Sequence, residues 1–215
     1  MNFETSKNLA GIGAILLFVG ILPYANTYLL LPLAGVILLL IGLKGLSEYY
    51  NEAGIFSNAL YGTIVAIVGI AIVGAIVFVA LLGLFKVILP TWNGDWTTLS
   101  TMVNQIDVNN ITFSQISPYV GLFLLDYVLL FVFALVFALL YRKSMNQLST
   151  KSGIGLFGAT GTVMLVGGVL TIVLIGYALL WIAMLLFAIA LFQARPPMAP
   201  QPQQTVMAPQ YPTQV

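Results

Sequence analysis

The chain has 215 residues, 60% of them hydrophobic and 6% charged. A soluble domain carries roughly 25% charged residues, so this composition cannot build a water-facing surface. The net charge is +1 with no basic stripe, which gives no reason to expect nucleic acid as a partner. Cysteine and histidine are both absent from the sequence. That removes disulfides, thiolate nucleophiles, imidazole acid–base chemistry and the usual haem or zinc ligand sets.

Residues 1–7 are short and polar, and the uncharged run from Asn8 to Leu43 that follows is too long for one helix. As a single helix it would measure about 54 Å, against a hydrocarbon core of about 30 Å. The chain is expected to fold back at Pro23-Tyr24-Ala25-Asn26-Thr27, giving helices near 9–22 and 28–43. The run does not end after a short apolar region followed by a small-residue cleavage site, which argues against a signal peptide. From Lys44 to Asn58 the residues are polar, which predicts an interfacial loop, with Ser57 or Asn58 as N-cap of the next helix.

The third helix, near 59–89, is the most apolar stretch: from Leu60 to Phe85 it carries no charge, so no water-facing side remains. Gly62, Ala66, Gly69, Ala71 and Gly74 give it small residues for close helix approach. An outer polar segment follows over 91–117, with Trp92 and Trp96 suited to a membrane boundary. Within it Leu99, Met102, Val103 and Ile106 recur at helical spacing behind Thr97 and Thr98, predicting a short amphipathic helix on the membrane surface. Asn110-Ile111-Thr112 matches the glycosylation acceptor pattern, a tripeptide that also arises by chance.

A fourth helix is expected near 120–141, followed by Arg142, Lys143 and a basic loop to Lys151. The uncharged run from Ser152 to Ala194 again needs two helices, near 154–169 and 172–192, with Gly167-Gly168 as the expected turn. After Arg195 the composition changes to proline and glutamine, and Met198-Ala199-Pro200-Gln201 recurs as Met207-Ala208-Pro209-Gln210. The reading is an all-α, polytopic transmembrane bundle of about six helices over 1–195, and a disordered tail over 196–215. The tail is either a passive solubilising segment or a docking strip for a protein partner.

With six helices, Lys7, Lys44, Arg142, Lys143, Lys151 and Arg195 fall on one side and Lys86 alone lies toward the other. By the positive-inside rule both termini are cytoplasmic and the protein sits in the cell membrane. One gapless offset lays Leu9 on Leu156, Gly11 on Gly158, Val19 on Val166 and Gly20 on Gly167, and Leu38-Leu39 on Leu185-Leu186. This suggests a parallel repeat of the first and last helical hairpins. The stretches Lys7-Asn8-Leu9-Ala10-Gly11-Ile12-Gly13, Leu43-Lys44-Gly45-Leu46-Ser47-Glu48-Tyr49-Tyr50 and Ile55-Phe56-Ser57-Asn58-Ala59-Leu60 resemble an uncharacterised archaeal family of integral membrane proteins, domain of unknown function nine-nine-six. The resemblance covers roughly residues 5–195 and implies an archaeal multispanning protein, with no activity, cofactor or site residue to carry over.

Asp126 is the acidic residue that this assignment places inside the bilayer; such a residue is a functional candidate for ion or proton handling, the alternative being a structural ion pair or hydrogen-bonded helix glue. Lys86 lies toward the outer end of the preceding helix, so the two are expected to approach if these antiparallel helices pack together. Thr160, Thr162, Thr171 and Tyr177 come nearest to a polar face. No nucleophile–base pair, paired carboxylates or metal-ligand cluster appears in the membrane, so no catalytic, cofactor or metal residue is assigned and no enzyme is expected. Two readings stay open. One is a structural or assembly component, meeting protein partners through the tail or the small-residue helix faces. The other is a small-solute, ion or proton transporter or channel using Asp126.

Overall fold

The computed structural model describes residues 2–20, 30–90, 95, 97 and 111–196. Six helices run through them: α1 (Phe3–Gly20), α2 (Leu30–Tyr49), α3 (Ala53–Ile88), α4 (Phe113–Ser152), α5 (Gly155–Leu170) and α6 (Ile175–Gln193), with a 3-10 turn at Thr171–Val173 between the last two. No strand occurs among the described residues. All but α1 are long and apolar enough to cross a membrane, α5 when taken together with the 3-10 turn as Gly155–Val173. In α1 the first two turns carry Glu4, Thr5, Ser6, Lys7 and Asn8. That leaves the apolar part of its described span about 18 Å long.

Several expected boundaries move, for one shared reason. Polar residues near Lys44 and Arg142 mark the level where hydrocarbon ends, yet a helix continues into the wet interface without breaking. So α1 starts at Phe3 rather than near residue 9, α2 runs on to Tyr49, and α3 starts at Ala53. The expected interfacial loop shrinks to Tyr50, Asn51 and Glu52, with Asn51 in the left-handed region at φ 51°. Glu52 holds the N-cap position expected of Ser57 or Asn58. Asn58 instead lies inside α3, where its amide nitrogen donates to Gly54 O (2.7 Å) and Gln147 Oε1 (3.3 Å). Likewise α4 takes in both the outer residues 113–119 and the basic segment to Ser152.

The expected turn at Gly167-Gly168 is helical; the chain reverses at the 3-10 turn, with Leu174 left-handed at φ 64°. The two glycines are packing sites. A Cβ on Gly168 would meet the Ala138 Cβ at 2.6 Å, and one on Gly167 would crowd Leu180 and the Gly176 carbonyl. The expected break at Pro23–Thr27, the surface helix over 97–106 and the tail lie outside the described residues, apart from Thr97 and Pro196.

Each helix packs on the next in chain order, and α6 closes the ring on α1. The hairpins α1–α2 and α5–α6 share one close contact: Gly20 faces Pro32, and its counterpart Gly167 faces Leu180, one residue past the counterpart of Pro32. The inner half of the ring is filled by Leu39, Leu43, Leu46, Ile55, Met145, Leu148, Phe157, Met164, Phe187 and Leu191, each at most 1% exposed. At that end Phe3 packs on Tyr49 and Tyr50, and the Tyr50 hydroxyl donates to Arg195 O at 2.7 Å. Burial, then the neighbouring Tyr49, pushes the Tyr50 phenol up to about 12, so it stays a donor at ordinary pH.

α3 and α4 differ from the rest. At 36 and 40 residues they measure about 54 and 60 Å, nearly twice the hydrocarbon thickness. They form an antiparallel pair whose outer halves pass beyond the turn between α5 and α6.

Candidate functional site

On the α3 side the α3–α4 seam follows a seven-residue spacing, and the α4 partners keep close to it, as for two helices wound on each other. Gly62, Gly69 and Gly83 on α3 receive the rings of Tyr141, Phe133 and Tyr119 on α4. Between the second and third of these contacts the register brings Ile76 opposite Asp126. Here the small-residue–aromatic pattern is replaced by an aliphatic residue facing a carboxyl. Asp126 is 7% exposed, and it is the buried residue in the stretch of α4 from Phe113 to Phe137.

Its Oδ1 has no hydrogen-bond partner. That distinguishes it from the buried serine and threonine hydroxyls, each of which donates to a backbone carbonyl: Ser6 to Asn2, Ser47 to Glu52, Thr63 to Ala59, Ser144 to Ile55, Thr160 to Leu156 and Thr171 to Gly168. Leaving a polar atom unpaired in apolar surroundings costs about 1–3 kcal/mol. The fold tolerates that cost at Asp126. A shallow groove beside it is lined by Ala75, Ile76, Val79 and Leu122, all apolar.

Lys86 does not complete the carboxyl. The seam places it at the level of Ile116, ten residues from Asp126 along α4, which is about 15 Å and beyond the reach of a lysine stem. Among the described residues the ion pairs are Lys7–Glu4 at 2.9 Å and Lys151–Glu52 at 3.3 Å, and Lys86 is exposed. The expected approach of the two fails because the antiparallel register separates their depths, although their helices do pack together.

The remaining sequence candidates are not gathered either. Thr160, Thr162 and Thr171 each bond a carbonyl of the preceding turn of their own helix segment, and Tyr177 sits in an apolar groove with Ala66, Gly69, Phe133 and Phe137. Asn110 lies outside the described residues. Thr112 of the same tripeptide starts α4, its N–H donating to Gln115 Oε1 at 3.0 Å.

Tyr127, beside Asp126, was not singled out by the sequence. Its hydroxyl donates to the carbonyls of Thr171 and Ile172 in the turn between α5 and α6. A turn at that depth exposes carbonyls that lipid cannot satisfy, and Tyr127 supplies the missing donor. A single tyrosine in an apolar run carries no sequence signal for this role. The Nε of Arg142 is a second buried atom without a partner, next to Gly161 of α5.

The model of the family described as "Protein of unknown function (DUF996)" matches residues 31–185. The chain is also similar to the uncharacterized protein MJ1644 of Methanocaldococcus jannaschii, at 26% identity over 192 residues, covering 89% of this chain and 93% of that one. No solved structure matches.

Proposed function

Since the chain belongs to the DUF996 family of proteins of unknown function, as a helical protein with spans fit for a membrane, we propose that it is a structural or assembly component of the cell membrane rather than an enzyme. The observation that carries this reading is the filled interior. Apolar side chains occupy the inner half of the ring, and the buried hydroxyls there are consumed by backbone carbonyls. Among the described residues that half is packed mainly with apolar side chains, which supports assembly over a transport route.

The outer halves of α3 and α4 offer the surface for assembly. Ala71, Gly74 and Ala75 are exposed, and a Cβ on Gly74 would meet nothing within 4 Å. Small residues of this kind let a second transmembrane helix approach closely. The cationic end, which gathers Lys7, Lys151 and Arg195, is the cytoplasmic one in this reading.

One observation favours transport instead. Asp126 keeps a free carboxyl oxygen about 24 Å along α4 from Arg142, a depth at which ion or proton pathways place such groups. A photoreactive residue at Val79 or Leu122, followed by affinity purification from native membranes, separates the two readings. Discrete protein adducts, retained in Asp126→Asn, support assembly. A flux in reconstituted vesicles that Asp126→Asn abolishes would overturn it in favour of transport.

A further inference from the structure

A second feature lies at the opposite end from Asp126. The start of α1, the start of α5 and the end of α6 enclose a cavity of about 370 Å³, lined by Lys7, Ile154, Phe192, Gln193, Ala194 and Arg195. Two basic residues and Gln193 are among its lining, and no lining residue is acidic. Lys7 is largely withdrawn from solvent, its side chain 15% exposed, and it is held by Glu4, which itself stands 62% exposed outside the cavity. One carboxylate contact occupies one of the three ammonium donors and leaves two.

Arg195 is fixed from behind. Its carbonyl accepts the Tyr50 hydroxyl, and Ala194 beside it is 2% exposed. Arg195 is exposed and takes part in no ion pair among the described residues. Two cations brought together by different helices repel each other, and the lone Glu4 offsets only one of them. A cavity with that charge is completed by an anion. Arg and Lys together suit a phosphate, the guanidinium as a planar fork and the ammonium as a point charge.

The place narrows the ligand further. The cavity opens where α1 and α6 leave the hydrocarbon, and Phe192 and Ile154 give it an apolar side next to the cations. We propose that this cavity binds a phosphate group at the cationic face of the membrane, with Lys7 and Arg195 as its ligands and a lipid headgroup as the natural source.

The test uses the full chain purified in neutral detergent, read by thermal unfolding during titration with phosphatidylglycerol, phosphatidylcholine or inorganic phosphate. Phosphatidylglycerol should raise the unfolding temperature saturably. Arg195→Gln, exposed and therefore free to fold, should weaken that binding about tenfold, the loss of one charge-assisted contact. Lys7→Gln should do the same, while Glu4→Gln should strengthen binding by releasing Lys7. Lys143→Gln and Lys151→Gln, cations of the same end outside the cavity, should leave it unchanged. A response to phosphatidylglycerol alone identifies a lipid headgroup as the source; a comparable response to inorganic phosphate identifies a soluble phosphoryl compound. Equal weakening by the Lys143 and Lys151 variants would mean diffuse surface charge and would overturn the proposal, as would no response to any of the three.

Discussion

At the scale of the residue, Asp126 and Lys86 illustrate how much a register decides. Both residue types and their helices were legible, and a carboxyl inside a bilayer invites the search for a cation. The seam of Gly62, Gly69 and Gly83 against Tyr141, Phe133 and Tyr119 sets the depth of each, and it keeps them about 15 Å apart. Asp126→Asn and Lys86→Met should therefore act independently: the double variant should unfold at the free energy given by adding the singles, within about 0.5 kcal/mol. Asp126→Leu should go further and raise the unfolding temperature in detergent, because it removes an unpaired oxygen from an apolar seam. A marked loss of stability in that variant would reveal a hydrogen-bonding partner for the carboxyl and overturn its unpaired state.

At the scale of the element, the helices were legible and their faces were not. α3 is apolar all round, so no hydrophobic stripe reports which side meets α4. The small residues Gly62, Ala66, Gly69, Ala71 and Gly74 formed one undivided set in the sequence. In the structure they divide: Gly62 and Gly69 are buried under aromatic rings, while Ala71 and Gly74 are exposed. Paired substitutions measure this division. Gly69→Val should drive its Cβ into the Phe133 ring, 2.7 Å away, and destabilise the bundle by about 1–3 kcal/mol. Gly74→Val, with nothing in reach, should leave thermal unfolding in detergent nearly unchanged. Equal losses at both positions would place α3 in the wrong rotation. The helix ends were misread for a related reason, since polarity at Lys44 or Arg142 reports the edge of the hydrocarbon rather than the end of a helix.

At the scale of the whole molecule, charge and length carry what local pattern does not. The turn at Thr171–Val173 is apolar because it lies at the depth of Tyr127, whose hydroxyl serves its carbonyls, so the polar marker expected of a loop is missing. Alternation of the six helices nevertheless gathers the inner ends: Lys151 meets Glu52, Tyr50 meets Arg195, and Lys7 shares a cavity with Arg195. Lys86 stands near the other end of the long pair, beside the outer start of α4 at Phe113. Positive charge of this asymmetry sets orientation during insertion, so the proposed orientation predicts the gathered end on the cytoplasmic side. The sequence has no native cysteine, so single introduced thiols report without background. A thiol from Lys151→Cys should resist a membrane-impermeant maleimide in intact cells and react after lysis. One from Ser114→Cys, exposed at the outer start of α4, should react in intact cells. Labelling in the reverse pattern would invert the whole molecule, placing the Lys7–Arg195 cavity and the tail outside the cell and the exposed α3–α4 tips within it.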